Sequence, residues 1–335
     1  MKPAAKLPII LASFAGAWLL PAPARTPAAL MAVVNKAAHT VTIYRLPGDR
    51  RVCTAEVAPN PHEAAFSRDG RELIVPIYSN VFIGQRGTNQ HLVYFLDARN
   101  CRRIGVLDTG RYQRLHGIAV AANGRVYITA EVGGALLEID PRRRRLVRAI
   151  PTGSPYSHMV ALAGGRAYVS NVLSKTISVL SLRRHKLLFT TPTGAVNQRI
   201  SVSPNHQWFA TCLGSKHAVA IYRASHGQPA FRIATPGTPY VVHFSPRGHY
   251  LYAGGNGRQG TTLWKLEIAR RRVVYSRTGL GSSLGSFALA PGGRRIYVTD
   301  YGQSRISVLK ASNLELLRSF PSAGKGPDEI AFRQR

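Results

Sequence analysis

A unit of about 42 residues recurs along this chain and constrains its fold more than any other feature of the sequence. One turn position marks six copies of the unit, at Gly70, Gly124, Gly165, His206, Gly248 and Gly293. Thr-Gly pairs recur with nearly the same period in a second register, ending at Gly110, Gly153, Gly194 and Gly279. Periods of roughly 40 to 45 residues, with four short strands in each, are typical of β-propellers, in which one unit forms one blade.

The two ends of the chain together predict a seventh unit. Residues 32–35 and 40–43 resemble residues 297–300 and 305–308, so the N-terminal segment supplies three strands of a blade. Residues 328–332 align with residues 62–66 and supply the innermost strand of that blade, which leaves no open sheet edge between the first and last blades. The sequence therefore predicts an all-β, seven-bladed propeller of four antiparallel strands per blade, forming one domain over residues 25–335.

The first residues predict export. Lys2 and Lys6 precede an apolar run from Leu7 to Leu20, and small residues follow at positions 22 and 24. This pattern indicates a signal peptide over residues 1–24, because the apolar run is short for a membrane span. We therefore expect a periplasmic or secreted protein with no transmembrane segment in the mature chain.

Three cysteines are too few for a disulfide framework. Cys53 and Cys101 fall on neighbouring predicted blades, near the outer strands. Two alternatives stay open for them: a disulfide formed in an oxidising compartment, or partly buried free thiols.

Two segments carry a resemblance to a known repeat. Tyr168-Val-Ser-Asn171 and Tyr297-Val-Thr-Asp300 are each followed by a polar turn and a β-branched strand, and they resemble the YVTN-family β-propeller repeat. Residues 61–70 resemble the inner-strand half of the same repeat. The resemblance implies an exported seven-bladed propeller, related at fold level to the lactonase propellers, the haem-d1-binding domain and the propeller of nitrous-oxide reductase. Because that family contains binding proteins, enzymes and surface-layer components, it leaves the function open.

The residues that enter the innermost strands form the candidate ligand-binding site, because those strands surround the central channel. Alignment of the units puts one residue per blade at this point: Asp328, His62, His116, His158, Gln198, Tyr240 and Gly285. Glu63 adjoins this ring. Asn80 belongs to an insertion over residues 78–91 that we expect to overhang the same face, since a single long loop on a rigid scaffold is typical of a specificity element.

Four residues of this ring are candidate metal ligands: His62, His116, His158 and Asp328. They come from consecutive blades, and imidazoles that converge with a carboxylate can hold a divalent cofactor such as zinc or copper. Two other interpretations stay open, namely a small-molecule site without a metal and a water-filled channel with solvated polar residues.

Catalytic residues stay unassigned, because the sequence contains no nucleophile elbow, His-Glu-x-x-His motif, phosphate-binding loop or haem-attachment motif. The first hypothesis is therefore an exported binding or scaffold protein with a ligand or metal site at the channel mouth. The alternative is a lactonase-like or metal-dependent hydrolase. In that case the general base comes from the ring histidines or from carboxylates near the channel: Glu63, Glu131, Asp328 and Glu329.

The charge of the chain indicates a second candidate binding surface, because 45 Lys and Arg outnumber 15 Asp and Glu and give a net charge of +30. The turns between third and fourth strands predict a basic rim opposite the histidines, including Arg142, Arg143, Arg144, Arg145, Arg183, Arg184, Arg270, Arg271 and Arg272. Such a rim attracts polyanions, so a third hypothesis is a cell-envelope protein that binds an anionic surface; a merely solvated rim is the other interpretation. Because aromatic residues do not alternate with these arginines, we do not expect a nucleic-acid partner.

Overall fold

A computed structural model describes Met1, residues 29–79 and residues 87–333. The predicted signal peptide, apart from Met1, and the candidate site residue Asn80 lie outside the described residues. In the described part, the regular elements are 28 strands and one short 3-10 helix, Gly214–Lys216. No helix of this part is long and apolar enough to span a membrane.

The strands follow one another along the chain with short turns. The first fourteen are β1 (Ala29–Asn35), β2 (Thr40–Leu46), β3 (Arg50–Glu56), β4 (Ala65–Phe66), β5 (Glu72–Pro76), β6 (Leu92–Asp97), β7 (Arg103–Asp108), β8 (Gln113–Val120), β9 (Val126–Val132), β10 (Ala135–Asp140), β11 (Arg145–Pro151), β12 (Ser157–Ala163), β13 (Arg166–Asn171) and β14 (Thr176–Ser181). The remaining fourteen are β15 (Lys186–Pro192), β16 (Asn197–Val202), β17 (Trp208–Leu213), β18 (Ala218–Arg223), β19 (Pro229–Ala234), β20 (Thr238–Phe244), β21 (Tyr250–Gly257), β22 (Gly260–Glu267), β23 (Arg272–Arg277), β24 (Leu284–Leu289), β25 (Arg295–Asp300), β26 (Arg305–Lys310), β27 (Leu316–Pro321) and β28 (Pro327–Phe332).

These strands form seven antiparallel sheets of four strands each, which confirms the predicted propeller. Blades 1 to 6 use consecutive strands, from β4–β7 for blade 1 to β24–β27 for blade 6. Blade 7 has the order β28-β1-β2-β3, so it is closed by one strand from the C-terminal end, as predicted. The innermost strands of successive blades contact one another all the way round, from β28 to β4 and back to β28.

The core lies between the blades, because each central strand buries both of its faces. In β13, for example, the side chain of Tyr168 packs against blade 4, whereas that of Val169 packs against blade 2. This follows from the alternation of side chains along a strand. Seven apolar clusters of this kind lie among the described residues, one for each pair of adjacent blades.

Cys53 and Cys101 form a disulfide, with their Cα atoms 5.7 Å apart. Cys53 lies on the outer strand β3 of blade 7, and Cys101 lies in the turn before β7 of blade 1. The covalent bond therefore joins the last blade to the first. Of the two alternatives that the sequence left open, the structure contains the disulfide.

Deleting residues 325–335 removes β28 and leaves β1 without its inner neighbour. We expect this truncated chain to aggregate or to lose cooperative unfolding, because an open sheet edge recruits other chains. Thermal denaturation followed by circular dichroism, together with size-exclusion chromatography, measures both effects.

A circular permutant is the matched control. It joins Arg333 to Ala29 by a short linker and opens the chain at Asn313, in the turn between β26 and β27, so that every strand is kept. This permutant should melt cooperatively, whereas a truncated chain with the wild-type melting temperature would contradict the role assigned to β28.

Candidate functional site

In blades 2 to 7, the innermost strand is irregular at the residue that the sequence assigns to the channel. In β8, pairing with β9 shifts between Leu115 and Ile118, so His116 and Gly117 lie in a β-bulge. Equivalent shifts occur in the inner strands of the next five blades, around His158, Gln198, Tyr240, Gly285 and Asp328. β-bulges redirect side chains, so they explain why the side chains of these residues do not follow the regular alternation between the two faces of a sheet.

Three histidines form a row across blades 1, 2 and 3. The ring centroids of His62 and His116 are 4.5 Å apart, and those of His116 and His158 are 3.9 Å apart. Gly117 permits this approach, because a Cβ atom at that position would lie 2.7 Å from the Cα atom of Met159. A glycine next to His116 thus allows β8 and β12 to bring their histidines into contact.

A carboxylate pairs with the histidine at each end of the row. Oε1 of Glu131 lies 2.7 Å from Nδ1 of His158, and Oε2 of Glu131 accepts a 2.7 Å hydrogen bond from the Tyr78 hydroxyl. At the other end, Nδ1 of His62 lies 2.7 Å from Oδ2 of Asp328, and Nε2 of His62 contacts Nζ of Lys36. The two outer histidines therefore each have a fixed partner.

The central histidine has no such partner. Nδ1 of His116 makes no hydrogen bond to any described residue, and the nearest carboxylate, that of Glu63, is 4.0 Å away. Burial, together with the nearby His158 and His62, holds the pKa of His116 well below its ordinary value. His116 is consequently a neutral imidazole at pH 7, which is the form that binds metal ions.

Arg199 crosses the channel below the histidines. Its guanidinium, from blade 4, lies 3.1 Å from Oε1 of Glu63 in blade 1 and 2.7 Å from Oε2 of Glu329 in blade 7. Burial opposes the charged form, but the two carboxylates outweigh it and raise the pKa of Arg199. Burial raises the pKa of Glu63, and Glu329 adds to that increase. This buried ion pair therefore joins opposite sides of the ring.

The structure brings five predicted site residues into one cluster: His62, Glu63, His116, His158 and Asp328. Tyr240 lies near Arg199, and burial raises its pKa to about 12. Gln198 is half-buried, and its backbone carbonyl accepts a 2.8 Å hydrogen bond from the Ser170 hydroxyl.

The candidate metal ligands divide into two groups. His116, Glu131 and His158 each offer a ligand atom within 4.8 Å of the other two, and all three are buried. His62 and Asp328, which the sequence also suggested, pair with each other instead. Glu131, which lies on the second strand β9, thus joins the histidines.

Sequence reasoning missed Lys36, Tyr78 and Arg199 as members of this cluster. Arg199 had a detectable signal, since it directly follows Gln198 as Glu63 follows His62 and Glu329 follows Asp328. Reading one residue further along each inner strand would have shown an arginine and two glutamates in one layer. Lys36 and Tyr78 lie outside the inner strands, so the alignment of those strands gave no signal for them.

The arginines of the predicted rim lie in the turns between third and fourth strands. Arg142 to Arg144 precede β11, Arg183 and Arg184 precede β15, and Arg270 and Arg271 precede β23. Arg145 and Arg272 are the first residues of the strands that follow.

Comparison with solved structures shows the same fold. Hydrazine synthase of Kuenenia stuttgartiensis is 18% identical, with 81% of this chain and 89% of that chain covered and a TM-score of 0.69. A functionally unknown protein from Desulfotomaculum acetoxidans DSM 771 is 9% identical, covering 90% and 98%, with a TM-score of 0.74. Dihydro-heme d1 dehydrogenase NirN in complex with DHE is 15% identical, covering 93% and 77%, with a TM-score of 0.66.

These identities support a shared fold and no more. No family model matches the chain, and no curated protein matches its sequence.

Replacing Arg199 by methionine tests the ion pair across the channel. We expect the free energy of unfolding to fall by about 3–5 kcal/mol at pH 8, because two buried carboxylates lose their counter-charge. In this variant the pKa of Glu63, which is already raised, rises further. As the pH falls, the Glu63 carboxylate therefore becomes protonated, and its repulsion with the Glu329 carboxylate is relieved. The loss in free energy of unfolding relative to the wild type should therefore be smaller at pH 5 than at pH 8, as measured by urea denaturation.

The variant that combines Arg199→Met with Glu63→Gln and Glu329→Gln provides the control. It removes the charges together and should recover most of the lost stability at pH 8. A deficit that is equal at both pH values, or that persists in the combined variant, would show that Arg199 acts through packing alone.

Proposed function

We propose that this protein is an exported binding protein whose channel mouth holds a divalent transition-metal ion between His116, Glu131 and His158. The ion belongs to the zinc or copper class, because two imidazoles and one carboxylate suit those metals. Export follows from the signal peptide that the sequence predicts. The two enzymes among the fold neighbours support the fold alone, so the proposal rests on the geometry of the site.

One observation carries the proposal: the buried, neutral imidazole of His116, whose Nδ1 has no hydrogen-bond partner among the described residues, lies beside a second imidazole and a carboxylate. Buried polar atoms in proteins are nearly always hydrogen-bonded, so the isolated Nδ1 of His116 indicates that a ligand completes the site. The negative charge of Glu131 would offset part of the charge of the ion.

The spacing of the three residues fits a metal ion with little movement. Ligand atoms about 2.1 Å from a tetrahedral zinc lie roughly 3.4 Å from one another. The contact between Glu131 and His158 is 2.7 Å, and the three ligand atoms lie within 4.8 Å of one another, so these values bracket the required separation. Tyr78 orients the Glu131 carboxylate by its hydrogen bond, as outer-shell partners of metal ligands do.

A metal-dependent hydrolase is the second candidate, and one feature of the site favours it. Three protein ligands leave a fourth coordination position open, which is the arrangement of catalytic rather than structural zinc sites. Lys36 lies beside His62 at the end of the row, and burial lowers its pKa. A metal-bound water in the open position would supply the nucleophile in that case.

Metal binding to the tag-free protein tests the proposal. After dialysis against a chelator, titration calorimetry with zinc and copper should show one ion per chain, and elemental analysis should give the same stoichiometry. His116→Ala, Glu131→Gln and His158→Ala should each weaken binding at least about 100-fold, because each removes a ligand. Tyr78→Phe should weaken it about 10-fold, as expected for an outer-shell partner.

His243→Asn is the matched control, since His243 also lies on an inner strand, β20, but packs against Phe287. It should bind metal as the wild type does. Equal losses in His243→Asn and His116→Ala, or no stoichiometric metal in the wild type, would overturn the proposal. Losses as large in His62→Asn and Asp328→Asn as in His158→Ala would extend the ligand set to the four residues that the sequence suggested.

A further inference from the structure

The face opposite the channel mouth is strongly basic. It is formed by the hairpins between first and second strands and the turns between third and fourth strands, and we call it the basic face. Exposed arginines lie there on every blade: Arg50, Arg68, Arg142, Arg183, Arg223, Arg247, Arg270 and Arg294. The mouth face holds fewer basic residues, mainly Lys175, Lys216, Arg258, Arg305 and Lys325.

Acidic side chains on the basic face are already paired with basic side chains. Asp97 pairs with Arg99 at 2.6 Å, and Asp140 pairs with Arg125 at 2.8 Å. By contrast, no acidic group of the described residues lies within 4.0 Å of the guanidinium groups of four exposed arginines: Arg142, Arg183, Arg184 and Arg272. The positive charge of this face is therefore available to an external partner.

Clefts lie between adjacent blades on this face, and one of them has the size and charge for a phosphate group. A cleft of about 500 Å³ between blades 3 and 4 is lined by Arg166, His206 and Arg223. Another of about 480 Å³ between blades 1 and 2 is lined by Arg68, Arg125 and Arg142 together with Asp69, Glu72 and Asp140, so its charge is mixed. Guanidinium groups bind phosphate oxygens in a bidentate manner, so the cleft between blades 3 and 4, which no carboxylate lines, can bind a phosphate.

The aromatic residues near these clefts favour a phosphate surface over single-stranded nucleic acid. The guanidinium of Arg223 covers the ring of Trp208, and that of Arg271 covers Phe231. Base stacking needs open aromatic faces, and these two are occupied. The charges are also spread around the whole ring of turns, which matches a planar anionic surface better than a strand in a groove.

We propose that the basic face docks on a membrane surface of anionic phospholipids, with a headgroup phosphate in the cleft between blades 3 and 4. Apart from Met1, the exposed large apolar side chains of the described residues lie elsewhere, on outer strands and on the mouth face. Docking is therefore electrostatic, without insertion into the hydrocarbon. In this orientation the channel mouth points away from the membrane and stays open to solvent.

Co-sedimentation with vesicles tests the docking surface. The wild type should bind vesicles of phosphatidylcholine mixed with phosphatidylglycerol, should not bind phosphatidylcholine alone, and should dissociate as salt rises. Replacing Arg142, Arg183, Arg184 and Arg272 by glutamine should reduce the partition coefficient at least about 100-fold, because each basic residue near an anionic leaflet contributes roughly fivefold.

The control variant carries the same loss of charge on the mouth face, with Lys175, Lys216, Arg258 and Arg305 replaced by glutamine. It should change the partition coefficient less than about threefold, and both variants should keep the wild-type melting temperature. Equal losses in the two variants would show that net charge alone drives binding. Binding to double-stranded DNA or RNA that anionic vesicles fail to displace would assign the face to nucleic acid, and either result would overturn the proposal.

Discussion

The structure depends on the closure of the ring, because each four-stranded sheet can bury its two faces only against its neighbours. Tyr168 and Val169 show this directly, since adjacent side chains of one strand pack on different blades. A missing blade would expose two apolar faces at once. The last blade is therefore the critical one, and it is held both by β28 and by the disulfide between Cys53 and Cys101.

Closure of the ring also brings polar and charged side chains together at the centre of the molecule. Seven inner strands surround the channel, and six of them carry a bulge there, so charged groups from distant parts of the sequence become neighbours. Arg199 meets Glu63 and Glu329 across the channel, and these charges stay buried only because they compensate one another. Just beyond this layer, the histidine row has fixed partners at its ends and an open position at His116. The rigid ring thus fixes the geometry of a site in which Nδ1 of His116 has no hydrogen-bond partner among the described residues.

The fold could be predicted from the sequence because the period of the repeat defines where each blade begins and ends. The two partial units at the ends of the chain could combine into a blade in only one way. The histidine row was predictable for the same reason, since one register relates all inner strands. Arg199 was not predicted because the alignment considered one residue per inner strand, and Arg199 is the residue after it. Glu131 was placed near the channel, but its contact with His158 depends on how two blades pack, which strand alignment does not report. Tyr78 and Lys36 reach the site from outside the inner strands.

Anomalous scattering can locate a metal ion in the channel and identify its ligands directly. Crystals of the tag-free protein grown with zinc, with data collected on both sides of the zinc absorption edge, would give an anomalous difference map without prior assumptions about ligands. We predict one strong peak about 2.1 Å from ligand atoms of His116, Glu131 and His158. A peak between His62 and Asp328 alone, or no peak in the channel, would contradict it.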